Sequence, residues 1–77
     1  NPFQNYILAD ISLADYSGDL NISLYDCNGR LCKEKQLYNT KTGNNFLYLE
    51  TNNLPSGLYV LHVSTKQFAI RKKMVKP

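Results

Sequence analysis

Apolar and polar residues alternate along most of this 77-residue chain, with a repeat of two residues. Successive side chains of a β-strand point to opposite faces of a sheet, so this repeat predicts strands with one buried face. Six such stretches can be read in the chain, at residues 7–13, 20–25, 31–38, 46–50, 58–64 and 68–75. Apolar residues at the spacing of a helix face are absent, and we therefore predict an all-β chain.

Short clusters of turn-forming residues separate the predicted strands. Glycine, asparagine, aspartate and proline concentrate at residues 15–19, 28–29, 39–44 and 52–57, and these residue types favour the backbone conformations of tight turns. Six to seven short strands at this spacing predict an antiparallel immunoglobulin-like β-sandwich with Greek-key connections. A chain of this length predicts a single domain with a small core.

The polarity of individual strands predicts their places in the sheets. The third strand is highly polar at residues 33–36, which favours an edge position, because charge there discourages pairing with another chain. The fifth strand, residues 58–64, has apolar residues on both faces and is predicted to lie inside a sheet. The register of the last strand stays open: either Phe68, Ile70 and Met74 or Ala69 and Val75 face inward, and a bulge could reconcile the two.

A hairpin is predicted between the second and third strands. Asn28 and Gly29 form its tip, with Asp26 and Arg30 closing a three-residue loop and Gly29 in the left-handed conformation. The pattern places Cys27 in this loop.

The same register predicts that Cys32 faces Leu24 on the partner strand. A disulfide between Cys27 and Cys32 is therefore not favoured, because their side chains would not converge. A metal site is favoured still less, since the spacing is not Cys-x-x-Cys and His62 lies on another strand.

The stretch from Leu54 to Tyr59 predicts a corner that starts the fifth strand. Pro55 presets φ for the second position of a β-turn, and Gly57 supplies the fourth. Tyr59 then begins the alternating face of the strand. Such a corner is typical of immunoglobulin-like and fibronectin-like sandwiches, in which a tyrosine buries its ring and returns its hydroxyl group to the backbone.

The net charge of +3 is divided unevenly along the chain. Residues 1–26 carry four aspartates and no basic residue, whereas residues 27–77 carry all nine lysines and arginines and two glutamates. Four of the basic residues cluster near the chain end, at Arg71, Lys72, Lys73 and Lys76. Such asymmetry can steer the basic half towards an anionic partner.

The chain lacks the residue patterns of catalysis. His62 has no motif around it and is interpreted as a partly exposed structural residue. The four aspartates are not spaced as a calcium loop, and no glycine-rich phosphate loop occurs. Tyr25, Tyr38 and Tyr48 are not arrayed for nucleic acid, and no apolar run could span a bilayer. We predict a non-enzymatic domain without cofactor, metal, nucleic acid or transmembrane insertion.

Four segments together resemble the C-terminal sorting domain of the type IX secretion system, the type A domain of exported Bacteroidota proteins. They are Asn1-Pro2-Phe3, the hairpin at residues 20–33, Leu54-Pro55-Ser56-Gly57-Leu58-Tyr59-Val60-Leu61, and the basic end Lys72-Lys73-Met74-Val75-Lys76. The resemblance covers nearly the whole chain. Cys27, Cys32 and the final Pro77 depart from the family pattern, without disturbing its core.

The resemblance implies that residues 1–77 are one sorting domain, taken from the end of a larger secreted precursor. A folded tag of this kind carries its passenger from the periplasm through the outer-membrane translocon to the cell surface or medium. A sortase-like cysteine peptidase usually removes it, upstream of the sandwich, and the passenger is joined to an anionic lipopolysaccharide or released. The implied partners are therefore translocon components and this peptidase.

The resemblance also assigns roles to residues. The predicted contact with the translocon consists of Lys72, Lys73, Met74, Val75 and Lys76. The residues predicted to hold the signature structure are Asn1, Pro2, Gly29, Leu54, Pro55, Ser56, Gly57 and Tyr59. Deleting the last five residues is expected to leave folding nearly intact and to abolish export.

Two alternatives remain open. The domain could be an immunoglobulin-like accessory module that binds glycan or spaces domains in a secreted hydrolase or adhesin. An exposed platform of Tyr25, Tyr38 or Tyr48 would favour that function. The domain could also self-associate through an unpaired edge strand.

Overall fold

The computed structural model describes residues 3–16 and 18–77, so the signature residues Asn1 and Pro2 lie outside the described part. The described residues form six strands and no helix. The strands are β1 (Tyr6–Leu13), β2 (Gly18–Asp26), β3 (Leu31–Thr40), β4 (Gly43–Glu50), β5 (Gly57–Ser64) and β6 (Ala69–Lys76). The all-β prediction is confirmed. β2 and β4 differ most from their predicted extents, since β2 is longer at both ends and β4 begins at Gly43.

The strands form a β-sandwich of two antiparallel sheets, as predicted. The larger sheet has the strand order β3-β2-β5-β6, and the smaller sheet pairs β1 with β4. β2–β3 and β5–β6 are hairpins within the larger sheet, and the chain changes sheets after β1, β3 and β4. The edge position of β3 and the interior position of β5 are confirmed. The immunoglobulin-like connectivity stays a prediction.

The core lies between the sheets and is built from the alternating apolar residues. Leu20, Ile22 and Leu24 of β2 are fully buried, as is Leu47 of β4. Full burial of one such side chain stabilises the fold by about 1.5–3 kcal/mol. The apolar face of each strand therefore decides which side turns inward.

The register of β6 is continuous against β5. Tyr59 lies opposite Met74, and Val63 lies opposite Ile70. Met74 is buried like Tyr59 and Val63, so the even-numbered side chains of β6 face the smaller sheet. The alternative with Ile70 and Met74 inward is confirmed, and the bulge suggested for this strand is wrong. The irregularities of the larger sheet lie between β2 and β3 instead.

The predicted hairpin tip is confirmed. The Asp26 N–H donates to the Arg30 carbonyl over 2.9 Å, and Gly29 has a φ of 82°. The Asp26 carboxylate accepts the N–H groups of Asn28 and Arg30, both at 2.9 Å, and the Arg30 side chain at 3.1 Å. These donors, the Arg30 backbone N–H foremost, hold the pKa of Asp26 below its usual value.

One detail of the hairpin register was predicted wrongly. Leu24 lies opposite Lys33, and the register shifts by one residue before Tyr25 and Leu31 pair. Cys32 therefore occupies the irregularity and does not face Leu24. Both cysteines are free thiols, and the Cys32 Sγ lies 3.5 Å from the Arg30 carbonyl oxygen.

Candidate recognition site at the signature end

The described parts of the four sequence segments meet at one end of the sandwich. Antiparallel pairing brings the start of β5 beside the end of β6, with Gly57 opposite Lys76. It also places Asp26, at the end of β2, opposite Tyr59. We call this the signature end. It comprises residues 3–5, the hairpin tip 27–30, residues 51–59 and the chain end 73–77.

Tyr59 anchors the corner as predicted. Its ring is buried, and its hydroxyl group donates to the Pro55 carbonyl over 2.5 Å. The Phe3 ring meets the Tyr59 ring edge-on, with centroids 5.7 Å apart. Burial raises the pKa of the Tyr59 phenol, and the nearby Cys32, Asp26 and Cys27 act in the same direction. The hydroxyl group therefore stays a donor at neutral pH.

A hydrogen-bonded turn that was not predicted precedes the predicted Leu54–Gly57 turn. The hydrogen-bonded turn spans Thr51–Leu54, closed by the Leu54 N–H donating to the Thr51 carbonyl over 3.1 Å. Its central residues are asparagines, which suit a turn. Pro55 and Ser56 form an open bend, which presents the Pro55 carbonyl to the tyrosine. Gly57 opens β5 with a φ of 150°, a conformation that favours glycine.

Thr51 links several segments of the signature end, and the sequence reading missed it. Its fully buried side chain donates to the Gln4 carbonyl over 2.9 Å, and its N–H donates to the Asn5 carbonyl over 2.9 Å. Its carbonyl accepts the Lys76 ammonium at 2.6 Å. The available signal was its place two residues after Leu49, where it continues the buried face of β4 just past the end of the strand.

The chain end is tied to the corner and to the chain start. The Ser56 hydroxyl donates to the Pro77 carbonyl over 2.9 Å, and the Phe3 N–H donates to the Val75 carbonyl over 2.8 Å. The terminal Pro77 is thus held beside the Leu54–Tyr59 stretch. These bonds join parts of the chain more than twenty residues apart.

The structure divides the predicted translocon contact between two faces of β6. Lys72, Met74 and Lys76 share the inner face, where Met74 is buried and Lys76 is bound to Thr51. Lys73 and Val75 share the exposed outer face, along with Arg71. The two adjacent lysines therefore do not form one surface. At this end the outer face presents Lys73 and Val75 to solvent.

The three tyrosines considered for a glycan platform do not lie together. Tyr25 lies on the outer face of the larger sheet beside His62, which is partly exposed as predicted, with ring centroids 6.3 Å apart. Tyr38 lies on the edge strand β3. Tyr48 belongs to the smaller sheet, where it stacks on Tyr6 at 5.5 Å and 25°.

Part of the outer face of the smaller sheet is nevertheless apolar. Leu8 and Phe46 are exposed beside the stacked Tyr6 and Tyr48. This aromatic face was missed because the residues alternate with buried ones on two strands that are distant in sequence.

Within residues 3–16 and 18–77, no group of His, Cys, Asp or Glu is arranged to hold a metal ion. The same residues form no helix that could cross a membrane.

A comparison with protein-family models matches the secretion system C-terminal sorting domain over residues 1–77. The chain belongs to this family. No curated protein and no solved structure matches it. The sorting domain is a C-terminal signal for type IX secretion, and the protein that carries it is exported by that system. The family is not a family of enzymes, and its members interact with the type IX machinery.

Proposed function

We propose that the type IX machinery recognises this sorting domain at its signature end, through the outer face of β6 and the chain end. The observation that carries the proposal is the convergence of the described signature segments there, in a chain of this family. Scattered segments would need several contact surfaces, whereas one shared end needs one.

Different residues of the site have different tasks in this proposal. Tyr59 and Thr51 fix the shape of the end through buried hydrogen bonds. In the part of the chain that the structure describes, Lys76 binds a backbone carbonyl and pairs with no carboxylate, so it belongs with the structural residues. Lys73 and Val75 are exposed on the outer face and meet the partner. Positive charge at this position favours an acidic surface on the machinery.

The family supports a wider role for the domain. It is the last domain of a larger exported protein, whose passenger crosses the outer membrane from the periplasm. A sortase-like cysteine peptidase cuts the chain before β1, and the passenger is joined to an anionic lipopolysaccharide at the cell surface or released. The domain itself acts as the secretion signal and catalyses none of these steps.

The decisive experiment measures export of a reporter fused to residues 1–77 in a bacterium with a type IX system. The double variant Arg71→Glu/Lys73→Glu reverses two charges on the outer face of β6. We expect it to lower export by about tenfold or more, because like charges set against each other at an interface cost several kcal/mol.

The matched control is Lys41→Glu/Lys66→Glu, which reverses two exposed charges at the opposite end of the sandwich. It should leave export nearly unchanged. Thermal unfolding of both purified variants separates recognition from misfolding. Equal loss of export in the two variants, or none in either, would contradict the proposal.

Deletion of the last five residues is not a clean test. With the structure in hand we expect it to destabilise the fold, because it removes buried Met74, the Val75 carbonyl that binds Phe3 and the Lys76 ammonium that binds Thr51. Substitutions on the outer face avoid this.

A second function, glycan binding as an accessory module, is favoured by the aromatic face of the smaller sheet. Stacked Tyr6 and Tyr48 offer flat rings to a sugar ring. Isothermal titration of the isolated domain with cell-surface polysaccharide fragments tests it. Tyr48→Ala should abolish binding and Tyr38→Ala should not, and no heat from the unmodified domain would remove this candidate.

A further inference from the structure

A groove of about 850 Å³ separates β1 from β6 on one side of the sandwich. The smaller sheet covers the inner face of the larger sheet incompletely, and the groove floor includes Leu61, Val63, Ile70 and Met74. At the signature end the groove is closed by Phe3, whose N–H binds the Val75 carbonyl. From there the groove runs along β1 as far as Ile11.

The backbone of β1 offers regular hydrogen-bonding groups to this groove. The Thr51 N–H donates to the Asn5 carbonyl, so the odd-numbered residues of β1 direct their N–H and C=O groups towards β4. The even-numbered residues, among them Leu8 and Asp10, direct theirs the other way. Among residues 3–16 and 18–77 no strand pairs with that edge of β1.

The floor of the groove combines apolar contact with one positive charge. Met74 and Val63 are buried, Ile70 is half exposed, and Lys72 projects from the same face between Ile70 and Met74. The ion pair found among the described residues joins Arg30 to Asp26, and so does not involve Lys72. Asp10 lines the rim, but alternation directs its side chain to the outer face of the smaller sheet.

We infer that this groove binds an extended peptide strand of a partner protein, which pairs with the free edge of β1 and sets a carboxylate opposite Lys72. A strand added to β1 would lie about 4.8 Å from it and about 10 Å above β6, the ordinary spacings within and between sheets. Its alternate side chains would cover Ile70 and Met74. The free N–H and C=O groups of β1 recur at the repeat of a strand, so they favour an extended peptide as the ligand. The positive charge of Lys72 favours a peptide with an acidic side chain.

A partner strand that pairs with β1 protects different backbone amides from hydrogen exchange than one that pairs with β6. In β6 the Val75 carbonyl points away from β5, so the odd-numbered residues Arg71 and Lys73 direct their N–H groups to the free edge. A strand on β6 would extend the larger sheet sideways and leave the groove floor uncovered. The inference does not depend on the role in export.

The first test is hydrogen exchange by NMR on residues 1–77 with a capped nine-residue peptide. The peptide has threonine at odd positions, valine at three even positions and glutamate at the remaining even position. We expect the Leu8 and Asp10 amides to become protected, with the Arg71 and Lys73 amides unchanged. Protection of the β6 amides instead, or of neither pair at millimolar peptide, overturns the inference.

The second test uses two adjacent lysines on opposite faces of one strand. Lys72→Glu should weaken binding of the glutamate peptide by about three- to tenfold and strengthen binding of a lysine peptide, as expected for one exposed charge pair. Lys73→Glu, on the outer face, should leave both affinities within about twofold. Equal effects of the two substitutions would show that only net charge matters and would overturn the inference.

Two further measurements identify the occupant. N-methylation of alternate peptide amides should abolish binding, because it removes the pairing with β1 but keeps the side chains. Sedimentation of the domain alone should give a monomer at the concentrations used. A dimer whose formation protects the Leu8 and Asp10 amides would show that a second copy fills the groove, which would overturn assignment to a partner protein.

Discussion

The two long sides of the sandwich are closed to different degrees. On one side β3 and β4 lie in contact, and the Lys35 ammonium donates to the Tyr48 carbonyl over 2.7 Å. On the other side β6 and β1 diverge from the signature end, where Phe3 binds Val75, and leave the groove between them.

Inward-facing lysines on the two edge strands show what this difference means. Lys35 and Lys76 both span the space between the sheets and donate to a backbone carbonyl of the opposite layer. Lys72 has the same orientation on β6, but it lies over the groove. A lysine on this face therefore donates to a backbone carbonyl where the opposite layer is within reach. Over the groove, Lys72 finds no such partner among residues 3–16 and 18–77.

The largest expected loss of stability follows from substitution of a buried residue of β6. Met74→Ala removes a buried side chain opposite Tyr59 and should lower the free energy of unfolding by about 2–5 kcal/mol. Val75→Ala, its exposed neighbour on the outer face, should cost less than about 1 kcal/mol. Urea unfolding of both variants checks this, and equal losses would mean that the register of β6 is not as described.

A smaller effect is expected at Thr51, which joins the two sheets at the signature end. Thr51→Val keeps the shape of this fully buried side chain but removes its hydrogen bond to the Gln4 carbonyl, at a cost of about 1–1.5 kcal/mol. Exposed Thr42→Val is the control and should be nearly neutral. If Thr51→Val is equally neutral, the hydroxyl group does not hold the end together.

Tyr59→Phe should cost about 1 kcal/mol, since it removes the bond to the Pro55 carbonyl. Because the folded-state pKa of Tyr59 is raised, its contribution is complete below the unfolded value near 10 and is lost as pH rises through the folded value. The difference in melting temperature between the native chain and Tyr59→Phe should therefore shrink above pH 10. A constant difference from pH 7 to pH 11 would contradict the assigned cause.

The smallest expected change in stability comes from substituting one inward-facing lysine on each long side of the sandwich. Lys35→Met removes a bridge to Tyr48 and should cost about 0.5 kcal/mol, the order expected for an exposed polar contact. Lys72→Met should be neutral within about 0.5 kcal/mol, because no bond is lost. Chemical denaturation of both variants measures the difference, and a greater cost at Lys72 would show that its side of the sandwich is not open.

Much of the fold followed from local pattern. Alternation placed the six strands, the polarity of residues 33–36 placed β3 at an edge, and Gly29 placed the hairpin tip. Each of these depends on neighbours in sequence. The Cys32 irregularity and the Thr51–Leu54 turn did not follow, because competing turn residues lie within a few positions of one another and only the final pairing selects among them.

The candidate site was predictable in its parts but not in its assembly. Tyr59 was expected to return its hydroxyl group to the backbone, and it does. The roles given to Lys72, Lys73 and Lys76 stay predictions. Strand alternation places Lys73 on the face opposite Lys72 and Lys76 in either register, but the sequence left open which of the two faces turns inward. Buried Met74 decides between them.

The sequence by itself determined the all-β class, the order of the strands along the chain and the family to which the chain belongs. Those properties depend on short-range periodicity and on motifs of a few residues. Only the tertiary structure brought Phe3, Thr51, Tyr59 and Pro77 to one end and left an open groove beside β1. Pairing between distant strands is governed by burial of the whole apolar surface, and no local pattern within β1 records that one of its edges remains free.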